Sequence, residues 1–176
     1  MEPKYVHIDW QGPLSYDQLP LLRDEQIDYG IYQIYGSHPV YGSDVLLYIG
    51  KAQDQTFGQR LLQESWSLWN RDSARIQIYI GRLSGSATPE SADWSAQISL
   101  VEKLLIYAHG PAANTSNLNS IPNECTPLHI LNWGQFRDLM AEVSGARWSS
   151  RFDEIQNWAA YGQHEAPEAQ TALQTY

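Results

Sequence analysis

The stretch GIYQIYGSHPVYGSDVLLYIGK, residues 30–51, decides the fold. Its first seven residues alternate apolar and aromatic side chains with Gln33, and residues 45–50, VLLYIG, form a second run of β-forming residues. Between the two runs, GSHPVYGSD contains two glycines and a proline, which is typical of a turn. An antiparallel hairpin is the simplest connection between two such strands, so this stretch predicts a β-hairpin.

The residues that follow the hairpin predict two helices and a third strand. Apolar residues recur at helical spacing from residue 56 to about residue 69, which favours an α-helix. RIQIYIGR, residues 75–82, alternates isoleucines with other residues and is typical of a half-buried strand. A second helix is expected over residues 92–109, because the apolar spacing stops at Gly110-Pro111, a strong helix terminator.

The element order β-β-α-β-α predicts a fold of the α/β (α+β) class, in which helices flank a small three-stranded antiparallel sheet. Residues 30–114 are interpreted as the core of this fold, and residues 1–29 as an N-terminal arm, in which a short strand or arm, a turn and a short helix are expected. Residues 115–161 are expected to form a C-terminal strand-helix extension that packs on the core. The polar residues 162–176 are expected to be a disordered tail.

The C-terminal extension is rich in apolar and aromatic residues. A fourth strand is expected at residues 128–132, and short helices at residues 134–143 and 151–161. Its large apolar side chains predict a surface that covers one face of the core, although an exposed aromatic residue among them could instead stack a nucleic-acid base. These side chains are Trp133, Phe136, Leu139 and Trp148.

The composition narrows the class of protein. A chain of 176 residues is long enough for one domain with a core. Cys125 is the single cysteine, which excludes an intrachain disulfide and a cysteine-based zinc site. No apolar run approaches the roughly 18 residues that a membrane span needs, and the first ten residues have no secretory pattern. We therefore expect a cytoplasmic protein that does not bind membranes.

The net charge of −9 is unusual for a protein that handles nucleic acid. The acidic excess lies in the flanks, because residues 1–29 and residues 115–176 each carry −4, whereas residues 30–114 carry only −1. A nucleic-acid enzyme with this composition should still have a local basic groove. Its expected members are Lys51, Arg60, Arg71 and Arg75.

The tripeptides at the two ends of the hairpin, Gly30-Ile31-Tyr32 and Tyr48-Ile49-Gly50, resemble the paired signature of the GIY-YIG nucleases. The sequence after the second tripeptide, YIGKAQDQTFGQRL, is similar to the amino-terminal nuclease domain of the bacterial excision-repair incision enzyme. The resemblance extends over residues 30–114, and the C-terminal extension resembles the tails of small stand-alone bacterial members. The resemblance implies the α+β fold described above and an endonuclease activity.

Four further residues match the pattern of this family. Lys51 follows the second tripeptide, and Arg60 lies on the helix just beyond it. Glu102 lies on an apolar helix that ends at a proline, and Asn114 follows that helix end. The family likeness therefore implies catalytic roles for Tyr32, Tyr48, Arg60 and Glu102, and substrate or phosphate binding by Lys51 and Asn114.

Each residue type suits phosphodiester hydrolysis. Glu102 is a hard oxygen ligand for one Mg²⁺ or Mn²⁺ ion that keeps most of its waters. The guanidinium of Arg60 matches phosphate oxygens. Tyr32 would act as a general base with help from a cation such as Lys51, or would orient the water as a phenol. Tyr48 would bind the phosphate or the waters of the metal ion.

A second group of roles remains open in the sequence. The amide of Asn114 would position either the loop or the phosphate. Glu64 stands where many family members carry His or Tyr, one turn after Arg60. Glu64 is either a second acidic metal ligand, a solvated helix residue or the partner of Arg60 at i, i+4.

The sequence thus predicts a divalent-metal-dependent endonuclease that cleaves DNA, with RNA as an open alternative substrate. A lone domain of this kind would need a dimer, or two binding events, to cut both strands. The alternative is a catalytically weak or inactive GIY-YIG-fold binding or regulatory module that uses its acidic surface to contact a basic partner.

Overall fold

The computed structural model of the protein describes residues 3–64, 76–84 and 92–148. The strands in these ranges are β1 (Lys4–Leu14), β2 (Gly30–His38), β3 (Gly42–Ala52), β4 (Gln77–Ser84), β5 (Leu128–Gly134) and β6 (Glu142–Ser144). The α-helices are α1 (Phe57–Gln63) and α2 (Ala92–His109), and short 3₁₀ helices occur at Tyr16–Leu21, Asn123–Cys125 and Gly145–Trp148. The fold is a mixed α+β fold, as the sequence predicts.

All six strands belong to one sheet with the order β3-β2-β4-β1-β5-β6. β1 and β5 run parallel, and every other neighbouring pair in this sheet is antiparallel. The predicted hairpin and third strand form the antiparallel part β3-β2-β4. The predicted sheet of three strands is too small, because β1, β5 and β6 extend it beyond β4.

β1 is the main departure from the predicted organisation. Residues 1–29 are expected from the sequence as an arm, but β1 lies inside the sheet between β4 and β5. Its alternate residues Val6, Ile8 and Trp10 are buried in the cluster that packs against α2. The indole Nε1 of Trp10 also donates a 2.8 Å hydrogen bond to the side chain of Asn132 on β5. The segment before the hairpin is therefore part of the core.

The predicted helix at residues 134–143 is wrong. Gly134 ends β5, and the backbones of Gly134 and Arg137 have positive φ values of 71° and 54°, which a right-handed helix does not allow. The guanidinium of Arg137 lies 3.8 Å from the centre of the Tyr35 ring and 2.5 Å from a carboxylate oxygen of Asp44. Contacts with distant strands therefore override the helix-like spacing of this segment.

Apolar side chains pack on both faces of the sheet. On one face, α2 contributes Ile98, Val101 and Leu104 to the larger buried cluster. On the other face, α1 and the 3₁₀ helix Tyr16–Leu21 cover β2 and β4. The buried residues of this smaller cluster include Leu19, Tyr32, Ile34, Phe57, Leu61, Ile78 and Ile80.

The second face is uncovered over β1 and β5 as far as the described residues go. Tyr5 and His7 alternate with the buried residues of β1, so their side chains lie on the same face as α1. Tyr5 stacks on His129 and His7 stacks on Trp133, with ring centroids 5.3 Å and 6.0 Å apart. This half of the face presents aromatic rings to solvent.

The extension covers the core through most of its large side chains. Leu139 is buried, and Phe136 and Trp148 are partly buried against the larger cluster. Trp133 is the exception, since 54% of it is exposed. The prediction of a covering surface is confirmed for three of these four residues and is wrong for Trp133.

Several predictions fall beyond the described ranges. They concern the part of the first helix after residue 64, Arg71 and Arg75, the helix at residues 151–161 and the tail at residues 162–176. Of the helices that the structure does describe, none combines the length and the apolar composition needed to cross a membrane.

Candidate active site

Tyr32 and Tyr48 lie side by side on the face of the sheet that α1 covers. Tyr32 pairs with Gly50 and Ile34 pairs with Tyr48 in the β2–β3 ladder, and the two tyrosine ring centroids are 6.1 Å apart. A Cβ atom on Gly50 would lie 2.5 Å from the Tyr32 hydroxyl and 2.7 Å from Tyr48. Glycine at position 50 is therefore needed because the two rings close over its backbone.

Tyr32 is buried and works as a hydrogen-bond donor. Its side chain has no exposed surface, and its hydroxyl donates a 3.0 Å hydrogen bond to Oε1 of Glu64. Burial, followed by the negative charge of Glu64, raises the pKa of Tyr32 well above its usual range. Of the two roles expected from the sequence, this geometry favours the neutral phenol over the general base.

Arg60 projects from α1 to the edge of the site. Its Nη2 atom lies 2.5 Å from Oε1 of Glu64, and 39% of its side chain is exposed. The start of α1 is held by backbone hydrogen bonds from Phe57 to Asp28 and from Gly58 to Leu22. These bonds position the helix, and Arg60 with it, above the tyrosine pair.

Glu102 reaches the site from α2 on the opposite side of the sheet edge. Its carboxylate lies 3.5 Å from Nζ of Lys51, and its side chain is only 15% exposed. Burial raises the pKa of Glu102, while the positive charge of Lys51 acts in the opposite direction. The two groups therefore depend on each other for charge compensation.

Lys51 is further held by polar residues that the sequence reasoning missed. Its Nζ donates a 2.7 Å hydrogen bond to the hydroxyl of Ser99, which donates a 2.7 Å bond to the side-chain oxygen of Gln53. Ser99 precedes Glu102 by three positions on α2, so both side chains lie on one side of that helix. That spacing is a signal by which Ser99 could have been found.

A pocket of about 300 Å³ opens between α1, α2 and the end of β3. Three predicted site residues, Lys51, Arg60 and Glu102, line it together. Its remaining lining residues are Ala52, Gln53, Asp54, Gln55 and Gln63. Asp54 and Glu102 balance the two cations, so the described part of the expected basic groove is neutral rather than basic.

Asn114 lies behind β3 and does not line this pocket. Its amide oxygen accepts a 2.9 Å hydrogen bond from the backbone nitrogen of Ile49, and its amide nitrogen donates a 2.9 Å bond to the carbonyl of the same residue. The side chain is buried, with 9% exposed. Asn114 therefore positions the strand that carries Tyr48, and its amide is not available to a phosphate.

The side chains of the pocket suit a magnesium or manganese ion only in a site with few protein ligands. The described residues contain no group of three or more His, Cys, Asp or Glu side chains that could hold a metal ion. Glu102 is a single, mostly buried carboxylate that faces a pocket with room for water molecules. Mg²⁺ is often bound by one or two carboxylates together with waters and substrate phosphates, so Glu102 fits this kind of site.

Comparisons with known proteins identify no relative. The chain matches no protein-family model, and searches of curated proteins and of solved structures returned no match. A function must therefore be inferred from the residues and their geometry.

Proposed function

We propose that the protein is a divalent-metal-dependent endonuclease of the GIY-YIG type, which hydrolyses phosphodiester bonds in DNA. The observation that carries this proposal is the convergence of Lys51, Arg60 and Glu102 on one pocket beside the pair formed by Tyr32 and Tyr48. Strands β2, β3 and β4 with helices α1 and α2 would be the nuclease core, and β1, β5 and β6 would be additions to it.

The residues of the pocket have complementary roles towards a phosphodiester. The half-exposed guanidinium of Arg60 offers a planar pair of donors for two phosphate oxygens. Lys51 adds a second positive charge on the other side of the pocket. Burial and the charge of Glu64 raise the pKa of Tyr48, so its hydroxyl stays protonated and can donate a hydrogen bond to the phosphate.

Glu102 would hold the Mg²⁺ or Mn²⁺ ion. When bound, the ion supplies stabilisation of the negative charge that develops on the phosphate oxygens. Lys51 lies 3.5 Å from Glu102, so its ammonium compensates the carboxylate before the ion binds and is free to turn to the substrate afterwards.

The test is nicking of supercoiled plasmid in the presence of Mg²⁺ or Mn²⁺. The Glu102→Ala variant is expected to lose at least about 100-fold in cleavage rate. Glu142→Ala, which removes an exposed glutamate on β6, serves as the matched control and should cleave like the wild type. Activity that survives in Glu102→Ala would contradict the metal site, and a wild-type protein that cleaves neither DNA nor RNA would contradict the nuclease.

A specific observation also supports the alternative, a catalytically weak or inactive binding or regulatory module. Both pocket cations are already paired with carboxylates, and the whole chain carries a charge of −9. Such a module would contact a basic partner through its acidic surface. It predicts salt-sensitive binding of a lysine-rich peptide, measured by calorimetry, together with no plasmid nicking; nicking with no peptide binding would exclude it.

A further inference from the structure

Glu64, the residue that follows the last turn of α1, has two partners. Its Oε1 atom accepts the hydrogen bond from the Tyr32 hydroxyl at 3.0 Å and lies 2.5 Å from Nη2 of Arg60. One-fifth of its side chain is exposed, whereas Tyr32 is fully buried. Glu64 therefore stands between a buried tyrosine and an arginine that lines the pocket.

Hydrolysis needs a group that accepts the proton of the attacking water. Tyr32 is poorly suited, because it has no exposed surface and its hydroxyl hydrogen already points to Glu64. Glu102 is paired with Lys51 and assigned to the metal ion. The sequence contains no histidine from residue 39 to residue 108. Two carboxylates remain among the described residues near the pocket: Asp54, which lines it, and Glu64, which is bound to the lining residue Arg60.

We propose that Glu64 accepts the proton of the attacking water and that the substrate phosphate prepares it by drawing Arg60 away. This inference rests on the proposed function. The water oxygen forms a bond to phosphorus while one of its O–H bonds breaks, and the proton passes to a carboxylate oxygen of Glu64. The phosphorus bond to the leaving oxygen breaks, this oxygen takes a proton from solvent, and Glu64 returns its own proton to solvent.

The contacts of Arg60 explain why Glu64 is inactive as a base before substrate binds. Oε1 of Glu64 is bound both to the guanidinium of Arg60 and to the hydroxyl of Tyr32, so this oxygen is occupied. A phosphate with two free oxygens competes for the same guanidinium through paired hydrogen bonds. Once Arg60 turns to the phosphate, Glu64 loses its ion pair but keeps the hydrogen bond from Tyr32, so Oε1 of Glu64 has room to accept a proton from water. Tyr32 is then a positioning residue.

The groups that interact with Glu64 keep one charge state through neutral pH. Among the described residues these are Arg60 on α1, Tyr32 on β2 and Tyr48 on β3. Burial and the charge of Glu64 raise the pKa values of both tyrosines, so both phenols stay neutral through neutral pH. Loss of activity on the acid side of the pH profile is therefore not caused by Arg60, Tyr32 or Tyr48.

The experiment measures kcat and KM for cleavage of a DNA oligonucleotide with Mn²⁺ between pH 5 and pH 9. Glu64→Gln keeps the size of the side chain and an oxygen for the Tyr32 hydrogen bond. It is expected to lower kcat by about 10²- to 10⁴-fold, to change KM little and to remove the acid limb of the kcat profile. In the wild type, the acid limb should lie at higher pH in kcat than in kcat/KM, because only the substrate complex has released Arg60.

Three comparison variants make the result decisive. Glu142→Gln, the same chemical change on β6, should keep kcat within about a factor of three. Asp54→Asn removes the competing carboxylate and should leave the acid limb in place. Glu64→Asp keeps a carboxylate and should retain the acid limb with more activity than Glu64→Gln. Melting temperatures establish that each variant is folded.

The possible outcomes separate the two proposals. Wild-type cleavage that Glu64→Gln leaves unchanged, or an acid limb that moves with Asp54→Asn instead, overturns Glu64 as the proton acceptor and leaves the nuclease standing. An acid limb at the same pH in kcat and kcat/KM overturns the release of Arg60. A wild-type protein that cleaves no DNA or RNA overturns the proposed function, and the role of Glu64 with it.

Discussion

Aromatic residues are buried on one half of a sheet face and exposed on the other half. Over β2 and β3, α1 covers Tyr32 completely, and the ion pair between Arg60 and Glu64 lies beside it. Over β1 and β5, Tyr5 and Trp133 are more than half exposed on the same face. Placing a helix over a sheet removes water from the tyrosines, which changes their ionisation and orders the charged groups at their rim. The candidate tyrosines and Arg60 therefore lie in the covered half.

The two halves of the sheet also differ in what they contribute to the protein. The half formed by β1, β5 and β6 supplies mainly apolar packing against α2, while the half formed by β2 and β3 supplies the polar site. Substitutions in the first half should therefore change the stability of the fold more than the activity of the folded protein. The following experiments test this division, beginning with the largest expected effect.

Trp10→Ala should cause the largest loss of stability. Trp10 is 1% exposed, and its indole hydrogen bond to Asn132 joins β1 to β5. Truncation of a buried tryptophan lowers the free energy of unfolding by about 3–5 kcal/mol, which urea denaturation would measure. Tyr5→Ala, on the exposed side of the same strand, should change it by less than about 0.5 kcal/mol. A Trp10→Ala protein that folds but loses nicking activity per folded molecule would break the proposed division.

Asn114→Ala should cause an intermediate loss of stability, in the half of the sheet formed by β2 and β3. The substitution leaves the backbone nitrogen and carbonyl of Ile49 without the side-chain partner that each has now, at a cost of about 1–3 kcal/mol. Asn119→Ala, an exposed asparagine in the same loop, is the matched control and should be nearly neutral. Equal effects of the two substitutions on the urea midpoint would contradict the structural role of Asn114.

The smallest of the three effects is expected for His109, in the pH dependence of the free energy of unfolding. Its Nδ1 is bonded to the carbonyl of Leu105 and its Nε2 accepts the backbone N–H of Met140, each at 2.9 Å, so the folded protein holds a neutral ring. Burial lowers the pKa of His109 below its usual value near 6.5. The unfolded chain therefore takes up this proton first, and the free energy of unfolding falls as pH drops below about 6.5, by at most about 1.4 kcal/mol per pH unit.

The measurement for His109 compares urea denaturation of the wild type and His109→Gln between pH 5 and pH 7.5. The difference between the two proteins isolates this residue from the other titrating groups. The wild type should lose more stability than the variant as the pH falls. Parallel pH profiles for the two proteins would contradict a contribution of the His109 ring to the pH dependence of stability.

The hairpin could be predicted from sequence because its information is local. Alternation in β2 and β3 and the turn residues between them lie within one short stretch, and the spacing of apolar residues on α2 is equally local. The pairing of Arg60 with Glu64 is one of the alternatives that the sequence leaves open, because Glu64 follows Arg60 by four residues. The prediction that Lys51, Arg60 and Glu102 belong to one site came from a family resemblance, because spacing alone does not indicate it.

The rest depended on contacts between distant parts of the chain. β1 is central because it pairs with β4 and β5, and nothing near residue 10 indicates those partners. The segment after Gly134 has helix-like spacing, yet Arg137 is held by Tyr35 and Asp44 on other strands. Likewise, the amide of Asn114 is hydrogen-bonded to Ile49, and only the folded structure brings these two residues together.

The position of β1 also sets an order of events during synthesis. β1 leaves the ribosome first, but its neighbours β4 and β5 come later, and its pairing of Lys4 with Leu128 spans more than two thirds of the chain. At about 5–20 residues per second, a delay on the order of 6–25 s separates the two strands. For that time the apolar side of β1, with Val6, Ile8 and Trp10, has no completed sheet to join. The apolar side of β1 therefore stays without its parallel neighbour until synthesis has passed Gly134, the last residue of β5.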